Sequence, residues 1–262
     1  MLEHRRILGM RVDATSYTDA VTRIVGWTRE DTPQSRYVCV ATVHMVMEAH
    51  DDSRFQSIVN GADLVTPDGM PLVWGLRLLG VPGATRVYGP DLLPALCEEA
   101  AREGISVGFY GGTTEVLDGM LTELQRRWPS LRIGYGWSPP FRPLTPAEEA
   151  QCVSNIAASG VRILFVGLGC PKQERWMAEH RGSVRLVMVG VGAAFDFLAG
   201  AKRQAPRPLQ AAGLEWCFRL ITEPKRLWRR YLYHNPRYLA LFVRQWVIER
   251  WRSYRSPQSR SR

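Results

Sequence analysis

Seven short apolar or β-branched runs recur along the first 191 residues, each followed by a stretch long enough for a helix. That alternation is the pattern of a parallel sheet with crossover helices. The runs are Ile7 to Val12, Tyr37 to Val43, Ala62 to Thr66, Ile105 to Tyr110, Leu131 to Tyr135, Arg162 to Gly167 and Leu186 to Val191. Thr113 and Thr145 read as helix N-caps, since each opens a polar turn with a glutamate (Glu115, Glu148) ahead of an apolar-periodic segment. At 262 residues and 45% hydrophobic, the chain can bury the core of one large domain with an appendage.

The charge balance reverses near the end. From Lys202 to Arg262 there are 15 basic residues against Glu215, Glu223 and Glu249, while the first 201 residues carry 19 basic and 22 acidic. Trp216, Trp228, Tyr231, Tyr233, Trp246, Trp251 and Tyr254 lie among those arginines, the mixture that suits an anionic lipid headgroup boundary. Two prolines and three basic residues in Lys202 to Pro208 mark a boundary, giving a body over 1–201 and an appendage over 202–262. Leu214, Cys217, Phe218 and Ile221, and after Pro236 Leu239, Phe242, Val243 and Trp246, follow the spacing of amphipathic helices. Ser253 to Arg262 reads as a disordered end. The expected fold is therefore α/β, a Rossmann-like mostly parallel sheet flanked by helices, with a basic amphipathic helical appendage.

No run reaches the roughly 18–20 apolar residues that a spanning helix requires. MLEHRRILGMRV lacks an apolar stretch with a small-residue cleavage site, so no signal peptide is read, and the expected location is the cytosol or a cytosolic membrane face. Five dispersed cysteines without a CxxC pair predict reduced thiols.

Four turns carry candidate chemistry. In ADLVTPDGM a strand ends at Pro-Asp-Gly, where Asp68 can act as a base at the ligand-binding edge of an open sheet or merely cap the next helix. In VGFYGGTTEV, Gly111 and Gly112 precede a helix N-terminus, which suits a diphosphate and equally a plain tight turn. FVGLGCPKQERW places Lys172, Gln173, Glu174 and Arg175 in one helical turn, either holding a nucleotide base or sugar hydroxyls or simply solvated. VMVGVGAAFDFLAG embeds Asp196 among apolar residues, which calls for a partner such as Arg203 or Lys202. There is no GxxxxGK[ST] loop, GxSxG elbow or HExxH, and His4, His44, His50, His180 and His234 show no metal-ligand spacing, so no metal and no cofactor is expected.

Together, ADLVTPDGM, RVYGPDLLPAL, GFYGGTTEV, LGCPKQERW, GVGAAFDFLAG and LEWCFRLITEPKRLWRRYL resemble the WecG/TagA/CpsF family of bacterial glycosyltransferases, over roughly residues 5 to 238. The resemblance implies an inverting, metal-independent enzyme on the cytoplasmic membrane face. Such an enzyme moves a sugar, typically N-acetylmannosamine from its UDP donor, to a polyprenyl-diphosphate-linked acceptor. It further implies Asp68 as the general base, Thr42 and Gln173 beside the donor, and Arg86 near the diphosphate or acceptor. Arg219, Arg226 and Arg229 are implied to close over the site. Where the family reads Thr-x-Asn, this chain has Thr42-Val43-His44, which leaves the donor sugar open.

Three other readings compete. The basic, aromatic tail also suits a nucleic-acid-binding protein, although its apolar stripes favour lipid or the body as partner, so no nucleic-acid partner is expected. A nicotinamide-dependent oxidoreductase would need a glycine fingerprint where Asp13-Ala14-Thr15-Ser16 stands. A non-catalytic membrane scaffold conflicts with the intact TPDG and KQE segments. Self-association is open, since the Leu214 to Ile221 stripe can pack on its own body or on a second copy.

Overall fold

A computed structural model describes residues 2–30 and 34–255. The first expected strand is in fact a hairpin: β1 (His4–Ile7) and β2 (Met10–Asp13) pair antiparallel around Leu8 (φ 51°) and Gly9 (φ 87°). Two successive left-handed residues make the tight turn that matches strand twist, and Gly9 within the apolar run was its signal. The other six runs form one sheet, β3 (Arg36–Ala41), β4 (Leu64–Pro67), β5 (Ser106–Gly111), β6 (Arg132–Trp137), β7 (Ile163–Gly167) and β8 (Val187–Gly190). Its order is β4-β3-β8-β7-β5-β6 and every pairing is parallel. The hairpin packs beside edge strand β4, where the buried Asp13 carboxylate accepts from the Val65 amide at 2.8 Å. A strand edge is thereby closed with a side chain instead of another strand.

Helices cover both faces, as a parallel sheet requires. α1 (Tyr17–Thr28), α5 (Gly89–Glu103), α6 (Thr114–Arg127) and α9 (Ala194–Leu198) line one side. The other carries α2 (Val43–Asp51), α3 (Ser53–Asn60), α4 (Met70–Leu78), α7 (Pro146–Ala158) and α8 (Lys172–Glu179). Alternation along β7 shows why the strands read as unbroken apolar runs: Ile163 and Phe165 join one core, Leu164 and Val166 the other, all buried. Thr113 and Thr145 cap α6 and α7 as expected, the latter in a full capping box with Glu148.

The tail folds back on this body through α10 (Arg207–Ala211), α11 (Glu215–Thr222) and α12 (Pro224–Arg255). One 32-residue helix runs through Pro236, where the sequence suggested a fresh start after it. At about 1.5 Å per residue it is roughly 48 Å long. It extends through Ser253–Arg255, part of the segment expected to be disordered; the remainder of that segment lies outside the described residues. Its inward face is Leu227, Tyr238 and Phe242, each at most 5% exposed, so the expected stripe is only partly inward: Leu239 and Val243 face outward. Phe242 packs against Gly75 of α4 beside Ile7, leaving no room there for a side chain. Gln245 donates to the Arg6 carbonyl and accepts from the Leu8 amide, and Arg237 forms a two-point ion pair with Asp51. Asp196 finds its partner in Lys202 at 3.1 Å, one of the two bases anticipated.

Candidate active site

A cleft opens at the C-terminal edge of the sheet, between the body and the tail helices. Its walls are the segments that follow β3, β4, β7 and β8, roofed by α11 and the start of α12. β3 connects onward to β4 on one side while its other neighbour, β8, arrives from β7. That reversal of connection is where open α/β sheets leave a crevice. Because each strand feeds a helix there, the first turns of α2, α4 and α9 line the cavity with the positive ends of their dipoles. Such a lining favours an anion.

Asp68 sits in this wall, immediately after β4, with its side chain 13% exposed. One carboxylate oxygen accepts from Arg86 at 3.2 Å and the other from the Gly89 amide at 3.3 Å. Arg86 Nε also donates to the Asp68 carbonyl, and the Nη2 that meets the Asp68 carboxylate bridges it to Glu215 at 2.6 Å. Glu215 in turn accepts from the Tyr88 hydroxyl at 2.9 Å. Burial pushes the Asp68 carboxyl up to about 6; the Arg86 charge opposes this and the Glu215 charge adds to it. A carboxylate poised just below neutrality is ionised at pH 7 yet basic enough to take a proton. For Arg86, burial works against its charge, but Asp68 and Glu215 more than offset it and hold the guanidinium protonated.

Gln173 and Glu174 are buried, so they are not the solvated turn that the sequence allowed. Gln173 is 3% exposed, and its amide oxygen accepts from Gly169 (3.2 Å) and Gly192 (3.1 Å). It thereby ties the turn after β7 to the turn after β8, while its amide nitrogen donates to Glu174 at 2.6 Å. The second Glu174 oxygen is buried without a partner, and burial raises this carboxyl to about 7. A raised carboxyl contributes stability that is complete at acid pH and is lost as pH climbs through its folded value. Wild-type thermal midpoints should therefore fall between pH 6 and 8.5, and Glu174→Gln should flatten that slope. Parallel slopes in the two proteins would assign the effect elsewhere.

Of the residues anticipated, Thr42, His44, Asp68, Arg86, Gln173, Arg219 and Arg226 converge on the cleft. Thr42 caps α2, its hydroxyl 3.5 Å from the Met45 amide. Burial, with Arg230 nearby, lowers the His44 imidazole to about 3 and keeps it neutral. Gly111 and Gly112 lie outside the lining, because β5 stands beyond β7 from the crevice. A Cβ on Gly111 would stand 2.6 Å from the Gly167 backbone, so close strand packing accounts for that glycine. Arg229 is also outside the lining, exposed and stacked over Trp228. Glu215, Tyr88, Arg230 and His234 belong to the site and were not singled out from the sequence. For Glu215 and Arg230 the tail motif was the available signal; Tyr88 stands in RVYGPDL two residues after Arg86.

A profile of the glycosyl transferase WecG/TagA/CpsF family matches residues 5–252. The chain belongs to this family. An N-acetylglucosaminyldiphosphoundecaprenol N-acetyl-beta-D-mannosaminyltransferase of Bacillus spizizenii is 30% identical over 215 residues, covering 82% of this chain and 81% of that protein. A protein of the same name from Staphylococcus aureus is 27% identical over 224 residues, 85% of this chain and 86% of its own length. As a WecG/TagA/CpsF member the chain is a glycosyltransferase, and the Asp68, Arg86 and Glu215 cluster lies at the mouth of its substrate cleft. Among the described residues, no helix is long and apolar enough to cross a membrane.

Proposed function

We propose that this enzyme is an inverting hexosyltransferase that moves N-acetylmannosamine, or a related hexose, from a UDP-sugar to a polyprenyl-diphosphate-linked N-acetylglucosamine. The setting is the cytoplasmic membrane face during synthesis of a cell-surface polysaccharide or teichoic acid. The names of the Bacillus and Staphylococcus relatives support the substrates. The observation that carries the reading is one buried carboxylate, Asp68, in the same cleft as Arg86, Arg219, Arg226 and Arg230. Asp68 takes the proton of the acceptor hydroxyl as that oxygen attacks the anomeric carbon. The C–O bond to UDP breaks on the opposite face, and the configuration inverts. Arginines and helix N-termini take up the charge of the departing diphosphate, with no metal needed for the step.

The test is UDP release from a panel of UDP-sugars with polyprenyl-diphosphate-linked N-acetylglucosamine in detergent, with and without EDTA. One productive donor, unaffected by EDTA, is the expected result. Absence of release with every donor would remove the reading.

The outer face of α11 and α12 is the surface that would meet the membrane. Ile221 (75% exposed), Leu232 (59%) and Leu239 (62%) are exposed on these helices, as are Arg229 and Arg244. Burying one such aliphatic side chain contributes about 1.5–3 kcal/mol. The triple variant Ile221→Glu, Leu232→Glu, Leu239→Glu should therefore lose at least about a hundredfold in partition to anionic vesicles. Its turnover with a short, water-soluble acceptor should persist. Unchanged co-sedimentation would take the membrane role from the tail, and salt-sensitive binding to DNA with none to vesicles would favour nucleic acid as the partner.

A further inference from the structure

We infer that His44, Glu48 and His234 form a binding site for a divalent transition metal of the Zn2+ type, which fastens the tail helix to the body. His44 and Glu48 stand one turn apart on α2, and His234 comes from α12, 190 positions further along the chain. One ligand atom from each lies within 4.8 Å of the others. Glu48 Oε1 is 3.7 Å from His44 Nδ1 and 3.9 Å from His234 Nε2. Those separations exceed a hydrogen bond, so three ligating groups converge without bonding one another. Nδ1 of His44, the atom that faces Glu48, is buried with no partner among the described residues, an arrangement that costs stability unless something answers it.

A tetrahedral Zn2+ with bonds of about 2.0–2.2 Å sets neighbouring ligand atoms roughly 3.3 Å apart, so contractions of about half an ångström bring Glu48 to each ring, and the two imidazoles, within 4.8 Å of each other, must close by up to about 1.5 Å through side-chain rotation. Two imidazoles and one carboxylate are the donors of a zinc site with an open position; Mg2+ and Ca2+ favour all-oxygen sets. Other charges face the site as well: Arg230 acts on both rings, Asp51 on His234, and Arg237 is paired with Asp51. The Arg230 charge weakens affinity without removing the site. His44 and His234 line the cleft and Glu48 does not, so the open position is on the cavity side. Asp68 and Arg86 are not ligands, and the inference does not rest on the proposed substrates. Its consequence is for stability and not for the reaction: the metal would brace α12 against α2, a junction the Arg237–Asp51 pair already holds, so EDTA should lower the thermal midpoint without stopping turnover.

The test uses the untagged full-length protein, stripped of metal and titrated with Co2+, Zn2+ and Mg2+. One equivalent of Co2+ per chain is expected, with the visible absorption of a low-symmetry site, displaced by Zn2+ and not by Mg2+. Glu48→Gln and His234→Ala should each weaken binding by at least about tenfold, whereas exposed His50→Ala should not change it. Zn2+ should raise the thermal midpoint of the wild type and leave that of Glu48→Gln, a near-isosteric change, where it was. Absence of saturable one-to-one binding, or equal binding by the wild type and Glu48→Gln, would overturn the site.

Discussion

Asp68→Asn should fold and lose turnover by about a hundred- to ten-thousandfold, the range that removal of a positioned base produces. The amide fills the same volume but cannot accept from both Arg86 and the Gly89 amide, so about 1 kcal/mol of stability goes with it. Circular dichroism and the thermal midpoint separate that small cost from the kinetic one. The wild-type pH profile supplies a second check. With its carboxyl raised to about 6, Asp68 is protonated and idle in acid, so kcat/KM should climb through pH 6 and level off above 7. The Glu215 charge is among the causes that raise it, so Glu215→Gln should favour the ionised form and carry the acid limb to lower pH. Near-normal turnover in Asp68→Asn, or an acid limb that Glu215→Gln leaves in place, would take the base role from this residue.

The sheet was legible because its physics is local. A strand buried on both faces must read as a short apolar run, and β3, β4, β5, β7 and β8 all did, within a residue or two at each end; edge strand β6, exposed or half-buried throughout, was found from Leu131, Ile133 and Tyr135. Ile7 to Val12 misled because a hairpin with a two-residue turn leaves an apolar run almost unbroken; only Gly9 betrays it. Asp68 was visible from its place after a strand, since the crevice of an open sheet follows from topology alone. Arg86 and the tail arginines entered only through the family resemblance. Gly111 and Gly112 show the limit of that logic, because a glycine turn after any strand looks alike and only the strand order puts β5 away from the crevice. Glu215, Arg230 and His234 were hidden for a different reason. They reach the cleft because α12 folds back across α2, a long-range packing that helical periodicity does not encode. Pro236 even argued against one continuous helix there. The same fold-back hid the His44, Glu48 and His234 convergence, because only His44 and Glu48 share a helical spacing and His234 comes from α12.

Arg219→Met should lower kcat/KM by about a hundred- to a thousandfold, the loss typical for one donor to developing charge in a closed site. Arg219 is 16% exposed, its Nε has no hydrogen-bond partner, and its nearest carboxylate, on Glu223, stands 3.9 Å away. Glu223 is already engaged by Arg226 at 2.7 Å, and beyond it the guanidinium has the Phe197 ring at 5.6 Å, so the Arg219 charge is only partly answered within the protein. A half-satisfied buried cation facing the cavity is costly in the free enzyme and is relieved by an anionic ligand. The thermal midpoint should accordingly hold or rise in Arg219→Met, while activity falls; a structural role for the arginine would lower both. Arg219→Lys should restore little, because a point charge on a shorter reach does not reproduce a planar fork against phosphate oxygens. Arg226→Met should cost less, since that side chain is half exposed and paired. Equal losses at the two positions, or a kcat/KM within about twofold of wild type in Arg219→Met, would mean that the tail closes over the cleft without contributing charge to the reaction.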